Sequence, residues 1–168
     1  MDEFEFLDGT LRTRLAHLLR ELNFYKVEPN KNIIDEIFSM DVGDVLGAAS
    51  LETISKYITA LSQYLIFLNY KRNLTEVRRM FLSKKLEKNI LRGLGTITIG
   101  TKDEKRRRFI DLNPELLELE AEVEYLNAEL ALTEEIPDSV REYINALKRY
   151  KDTKEFELKS SRFEDSNG

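Results

Sequence analysis

The chain has 168 residues, which fits one domain or one domain with an extension. Hydrophobic residues make up 42% of it, enough for a buried core, and charged residues reach 34%, above the roughly 25% of an average globular chain. It has no cysteine and one histidine, which excludes disulfides, thiolate catalysis, multi-histidine metal sites and histidine-based triads. The acidic start and the lack of a long apolar run predict a cytoplasmic protein with no membrane span and no secretory signal.

The charge is distributed unevenly along the chain. The formal net charge is −5, but residues 71–108 contain thirteen basic and four acidic residues, a charge of +9 that leaves −14 for the rest. A concentrated positive segment is typical of proteins that bind the phosphate backbone of nucleic acids. The commoner alternative for a basic helix is a solvated surface.

Two short helices are predicted near the N-terminus. Leucines at helical spacing after Thr10, which can act as the cap, predict a helix over residues 10 to about 23. Asn32 is the predicted cap of a second helix that ends near Met40. Together these elements form a predicted N-terminal helical extension over residues 1–48.

A long helix follows, for which Ser50 is the predicted N-cap. Its heptad pattern comprises Leu51, Ile54, Ile58, Leu61, Leu65 and Leu68, after which the register slips to Tyr70, Leu74, Val77 and Phe81. No proline or glycine interrupts the segment before Gly93, so one helix of about 40 residues is expected. A helix of that length in so small a chain needs a second helix to cover its apolar side.

A second long helical segment begins at Asn113-Pro114, a capping residue followed by proline at the first helical position. Its heptad positions are Leu116, Leu119, Val123, Leu126 and Leu130, followed in the same phase by Val140, Ile144 and Leu147. Pro137 predicts either a kink or the end of one helix and the start of another. The helix is expected to end near Phe156, which leaves residues 157–168 as a flexible tail.

The segment between the two long helices is rich in glycine and β-branched residues. Residues 96–99 and 106–112 favour two short strands of a β-hairpin, with a glycine-rich loop as the alternative. The predicted fold is therefore all-α: a long, antiparallel, coiled-coil-like helical hairpin over residues 49–156, with a short loop or β-hairpin at its tip and small N-terminal helices.

An antiparallel hairpin would gather the basic residues at one end and leave the acidic residues elsewhere. The residues predicted to bind nucleic acid are Tyr70, Lys71, Arg72, Arg78, Arg79, Lys84, Lys85, Lys88, Arg92, Lys102, Lys105, Arg106, Arg107 and Arg108. Phe67, Tyr70, Phe81 and Phe109 lie among them and could stack on unpaired bases, although packing into the core is the commoner role for phenylalanine. No motif for reading duplex sequence is present, so a single-stranded nucleic acid is favoured.

The sequence gives no indication of catalysis. No nucleophile and base can be paired, and Gly93 and Gly95 lack the lysine and hydroxyl residue of a phosphate-binding loop. The glutamates after Asn113 are typical of a solvated helix face; a carboxylate metal site is the lesser alternative. We therefore expect a protein that is not an enzyme and needs no cofactor or metal.

The helical segments resemble the UvsY recombination mediators of tailed phages from about residue 41 to residue 156. The similar features are Ser50-Leu51, Lys56-Tyr57 with Tyr64 and Tyr70, Lys84-Lys85-Leu86-Glu87-Lys88 before Gly93, Glu122-Val123-Glu124-Tyr125-Leu126, and Arg141, Ile144 and Lys148-Arg149-Tyr150. The resemblance implies an accessory protein that binds single-stranded DNA, assembles into rings and helps a recombinase replace single-strand-binding protein. It places Lys84, Lys85 and Lys88 at the DNA.

This chain differs from that family in having about 40 further N-terminal residues and in carrying Ile90-Leu91-Arg92 where aromatic residues are frequent. Self-association is also expected from the helices themselves, because apolar positions such as Ile66, Leu117 and Leu132 remain outside the heptad pattern. The alternative function is a helical interaction scaffold, or a small subunit of a larger nucleoprotein or viral assembly.

Overall fold

The structure is a computed structural model that describes residues 7, 9–21, 29–40 and 49–165. Every regular element in these ranges is helical, and none of the described helices is long and apolar enough to cross a membrane. The helices are α1 (Gly9–Glu21), α2 (Lys31–Ser39), α3 (Leu51–Gly93), α4 (Lys102–Asp111), α5 (Pro114–Leu132) and α6 (Ile136–Asp165), with a 3-10 turn at Leu94–Thr96. The predicted all-α helical-hairpin fold is confirmed.

The starts of α2 and α3 are fixed by side chains that satisfy free backbone N–H groups. The hydroxyl of Ser50 accepts a hydrogen bond from the N–H of Thr53 at 3.1 Å, as the sequence predicted. The cap of α2 is Asn30, whose side chain accepts from the N–H of Ile33 at 3.4 Å, and not the predicted Asn32. Helix α1 begins at Gly9, and its predicted end near residue 23 lies outside the described residues.

The chain divides into two compact units. The first unit comprises residues 1–25 and 71–134, and the second comprises residues 26–70 and 135–168. Helix α3 contributes its first part to the second unit and its remainder to the first unit. Each of these two parts of α3 contributes buried residues to the apolar core of its own unit.

The core of the second unit is formed by α2, α3 and α6. Its buried members are Ile34, Ile37, Ile54, Tyr57, Ala60, Leu61, Val140, Ile144 and Leu147. Ile54, Leu61 and Leu147 are completely buried. The heptad pattern of the sequence predicted these three positions, and the structure confirms them.

Pro137 marks the start of a new helix. Helix α5 ends at Leu132, and α6 begins at Ile136 with Pro137 in its first turn, where a missing N–H is tolerated. Of the two alternatives that the sequence left open, the structure shows the second, in which one helix ends and another begins. The predicted end near Phe156 is too early, because α6 continues to Asp165. In the turn before Phe156, Lys151 and Glu155 form an ion pair at 3.6 Å.

A hydrogen bond ties α2 to α3 within the second unit. The buried Tyr57 hydroxyl donates to Oε1 of Glu36 at 2.7 Å, and this bond, with burial, raises the pKa of Tyr57. Replacing Tyr57 with phenylalanine is expected to lower the free energy of unfolding by about 1.5–3 kcal/mol, the scale of a hydrogen bond to a charged group. Urea denaturation at neutral pH measures the change.

The contribution of this bond depends on pH in a defined direction. A folded-state pKa above the unfolded value means that the stabilisation is complete below the usual tyrosine pKa of 10.0 and is lost as the pH rises through the folded value. Tyr125, which is 66% exposed, provides the control: Tyr125→Phe is expected to leave stability unchanged. Equal effects of Y57F and Y125F would contradict the assignment.

Candidate nucleic-acid interface

The first unit has its own core, which α3, α4 and α5 form together. Its buried members are Leu82, Leu86, Ile90, Ile110, Leu116, Leu119 and Leu126. The α5 positions are those of the predicted heptad pattern. On α3 the prediction was wrong: Tyr70, Leu74, Val77 and Phe81 are only half-buried, and the buried row lies at Leu82, Leu86 and Ile90. Their spacing of four puts these three on one helix face, against which α5 packs.

Helices α3 and α5 run antiparallel in this unit. A guanidinium N–H of Arg72 donates to the carbonyl oxygen of Glu134 at 3.3 Å, and the hydroxyl of Thr75 donates to Oε1 of Glu129 at 3.3 Å. One turn further along α3, Arg78 forms an ion pair with Glu122. As the residue number increases along α3, the residue number of the contact partner decreases toward the start of α5, as predicted for a hairpin.

In this pairing the acidic helix α5 lies alongside the basic part of α3. Residues 109–134 contain eight acidic residues and no basic one, so that residues 71–134 hold thirteen basic and twelve acidic residues in all. Lys85 shares one groove with Glu115, Glu118 and Glu122. The expectation that the acidic residues lie away from the basic ones is thus wrong. The antiparallel pairing of α3 and α5 places the glutamates of α5 beside the basic residues of α3.

Several of the predicted binding residues serve the packing of the first unit instead. Arg72 bonds to Glu134, just after α5, and Arg78 bonds to Glu122 of α5. The Nε atom of Arg79 is buried without a hydrogen-bond partner among the described residues. Lys71 is exposed, while Tyr70 is half-buried and belongs to the second unit. The structure therefore does not gather all fourteen residues on one surface.

An exposed row of cations lies on the face of α3 away from its core. Lys84, Lys88 and Arg92 follow at intervals of four, are exposed, and have no ion pair with a described residue. Lys88 is two residues from buried Leu86, which places it about 200° around the helix axis. Phe81, three residues before Lys84, lies on the same side and is half-buried.

Neither predicted strand forms: residues 97–100 after the 3-10 turn have no regular structure, and the segment predicted as the second strand is helical. Glu104 Nα–H donates to the hydroxyl of Thr101 at 3.3 Å, and Thr101 Nα–H donates to Oε2 of Glu104 at 2.9 Å. This reciprocal capping box starts α4, so the residues from Arg106 to Asp111 are helical. No strand occurs in the parts of the chain that the structure describes. The Thr-x-x-Glu spacing was the sequence signal that the strand prediction missed.

Helix α4 is held against the end of α3 by close packing at a glycine. A Cβ atom on Gly93 would lie 1.8 Å from the ring of Phe109, so the ring occupies the space that any larger residue needs. Ile110, which is 1% exposed, adds α4 to the core. The side-chain amide of Asn113 donates to the carbonyl of Phe109 at 2.6 Å and makes no cap bond of its own. The basic residues of α4 are thus fixed beside the last turn of α3.

The cations of α4 differ in how many acidic neighbours they have. Lys102 and Arg106 are exposed with no ion pair among the described residues, and Lys105 is half-buried. Arg107 lies 3.9 Å from Asp111, and Arg108 is close enough to Glu104 to lower its pKa. We name the unpaired, exposed set the open basic residues: Lys84, Lys88, Arg92, Lys102 and Arg106.

The capping box makes the docking of α4 sensitive to acid. Hydrogen bonds from the backbone and then the hydroxyl of Thr101 lower the pKa of Glu104 below 4.5. The stabilisation is therefore present above the unfolded pKa and is lost as the pH falls through the folded value. Glutamine also completes a capping box but does not titrate. The midpoint of urea denaturation is therefore expected to fall less in Glu104→Gln than in the wild type when the pH is lowered from about 7 to about 3. An unchanged acid dependence in E104Q would contradict this role.

Comparisons with protein-family models, with curated proteins and with solved structures find no match to this chain. Within the described ranges, no three acidic or histidine side chains come together as possible metal ligands. Only the exposure and arrangement of the open basic residues therefore support a binding site there.

Proposed function

We propose that this protein binds single-stranded nucleic acid, most favourably DNA, through the open basic residues and acts as a non-enzymatic accessory factor in the cytoplasm. The observation that carries the proposal is the set of five exposed cations, without acidic partners among the described residues, on two helices that Gly93 and Phe109 hold together. The resemblance to UvsY-like mediators supports the more specific role of helping to load a recombinase in place of single-strand-binding protein.

Electrostatics would supply most of the affinity. Each phosphate that a cation neutralises releases condensed counterions, a gain that does not depend on base sequence. Arginines and lysines already paired with glutamate add little, because the ligand must first displace the carboxylate. The five open basic residues are therefore expected to contribute more than the other nine predicted residues together.

Base stacking has a smaller part in this proposal than the sequence suggested. The ring of Phe109 is packed at Gly93, and Phe67 stacks on Tyr64 at a centroid distance of 6.4 Å. Phe81 is half-buried and already has an interaction partner within the chain, so it offers little ring surface to an unpaired base. Binding with little base preference is expected as a result.

A helical interaction scaffold is the second candidate, and exposed apolar side chains favour it. Ile66 is 54% exposed and Leu132 is 81% exposed, so both apolar side chains are available for contact with a partner. In this function the open basic residues would contact an acidic protein surface. Self-association is part of both proposals, and sedimentation at micromolar concentration tests it: a monomer at all concentrations would contradict it.

Fluorescence anisotropy with three labelled ligands separates the two functions. The ligands are a single-stranded oligonucleotide of mixed sequence, the same sequence as a duplex, and a polyglutamate peptide of similar charge. The first function predicts that the single strand binds most tightly in low salt. Binding of polyglutamate alone, or no binding of the single strand, would favour the scaffold and contradict nucleic-acid binding.

A further inference from the structure

Helix α5 carries a second apolar row in addition to the one in the core. The row consists of Leu117, Ala121, Tyr125, Ala128 and Leu132, all exposed. Leu117 is 41% exposed, Tyr125 66% and Leu132 81%. The sequence predicted that Leu117 and Leu132 lie outside the heptad pattern, and the structure shows that they belong to one exposed apolar row.

The spacing of this row, four, four, three and four residues, is that of a helix–helix seam. At 100° per residue its members fall within an arc of about 80°. Leu119 and Leu126, which face the core, lie on the other side of α5. The row therefore runs the length of α5 as a continuous strip that the described part of the first unit leaves uncovered.

The side chains of the row are suited to receiving another helix. Ala121 and Ala128 are small enough to let a second backbone approach, while Tyr125 between them offers a large ring of the type enriched in interface hot spots. Leu117 and Leu132 extend the apolar contact to both ends. Helices commonly lay one apolar side into a surface of this form.

The charges beside the row determine the chemistry of its partner. Glu118 borders one side, Glu120 and Glu124 border the other, and none of the three has an ion pair with a described residue. Residues 109–134 contain no lysine or arginine, so α5 of a second copy would place glutamates against glutamates. Like charges at such positions oppose pairing, whereas lysines on the partner would be attracted.

We propose that the exposed row of α5 is a docking surface for an amphipathic helix of another protein, with an apolar seam flanked by lysine or arginine. The site is separate from the open basic residues and does not depend on nucleic-acid binding. A cationic helix bound there would leave Lys84, Lys88 and Arg92 available for their own ligand.

Designed helical peptides of about 20 residues, long enough to match the 19 residues of α5, test the proposal with the full-length protein. One peptide has a leucine seam flanked by lysines, the second has the same lysines with serine in the seam, and the third has the leucine seam flanked by glutamates. The lysine–leucine peptide is expected to bind at least about tenfold more tightly than either of the others, because only it offers both contacts.

Substitutions in the protein identify where the peptide binds. Tyr125→Asp is expected to weaken binding of the lysine–leucine peptide by more than about tenfold. The control is Ile99→Asp, at a residue that is 75% exposed in the loop before α4, and it is expected to leave the affinity unchanged. Circular dichroism verifies that both variants fold. Equal binding of the three peptides, or full binding to Y125D, would overturn the proposal. Self-association of the protein that Y125D abolishes would overturn it too, in favour of a second copy on this surface.

Discussion

Reversing the charge of Lys84, Lys88 and Arg92 to glutamate is expected to reduce single-strand binding by more than about 100-fold in low salt. Three favourable phosphate contacts are replaced by three repulsive ones, and each contact removed also removes its share of counterion release. The three side chains are exposed on the face of α3 away from Leu86, so the fold should persist. Titration of a labelled oligonucleotide measures the loss.

Two control variants distinguish position from overall charge. Changing Lys148, Arg149 and Lys159 to glutamate alters the net charge by the same amount in α6, at exposed residues without ion pairs to described residues. The affinity of this variant for the single-stranded oligonucleotide is expected to fall by less than about threefold. Arg78→Gln removes an arginine already paired with Glu122 and is expected to have an equally small effect. Similar losses in all three variants would contradict a defined site.

Substituting Gly93 by alanine is expected to lower the free energy of unfolding of the protein by about 3 kcal/mol. The added methyl group would overlap the ring of Phe109. Because the neighbouring Ile110 is buried in the core, we expect α4 to move away from α3 to accommodate it. Urea denaturation gives the loss of stability.

The matched control is Gly95→Ala, two residues further on. No atom lies within 4 Å of the position that its Cβ would take, so stability is expected to change little. Because displacement of α4 also separates Lys102 and Arg106 from Arg92, G93A should bind oligonucleotide more weakly even under conditions where it is folded. Wild-type stability in G93A would show that the contact between Gly93 and Phe109 does not hold α4.

Much of the fold could be predicted from the sequence because its signals are local. Ser50 as a cap, the uninterrupted segment up to Gly93, and the heptad positions Leu116, Leu119 and Leu126 each depend on neighbours within a few turns. The restart at Pro137 was one of two alternatives, because a proline permits either a kink or a new first turn.

The remaining features depend on which parts of the chain meet. The row of Leu82, Leu86 and Ile90 was missed because Tyr70 and Phe81 also fit a helical spacing, and only packing against α5 separates the two rows. The helix α4 was missed because β-branched residues before Thr101 outweighed its capping box. These errors concern the register and the tip, and leave the fold class unchanged.

The candidate site was predicted only in part for a similar reason. Counting charges along residues 71–108 could not show that Glu122 returns to Arg78, or that Lys85 lies beside Glu118. Sequence position identifies the basic residues, but the helix pairing decides which of them keep acidic neighbours. The open basic residues are those that this pairing leaves unpaired.

The salt dependence of single-strand binding tests the central claim most directly. If the five open basic residues bind phosphates, a plot of the logarithm of the association constant against that of salt concentration should be linear, with a slope of about −3.5. Replacing Lys84, Lys88 and Arg92 with glutamine should bring the slope to about −1.4. A slope near zero, or a wild-type slope in the glutamine variant, would contradict the proposed interface.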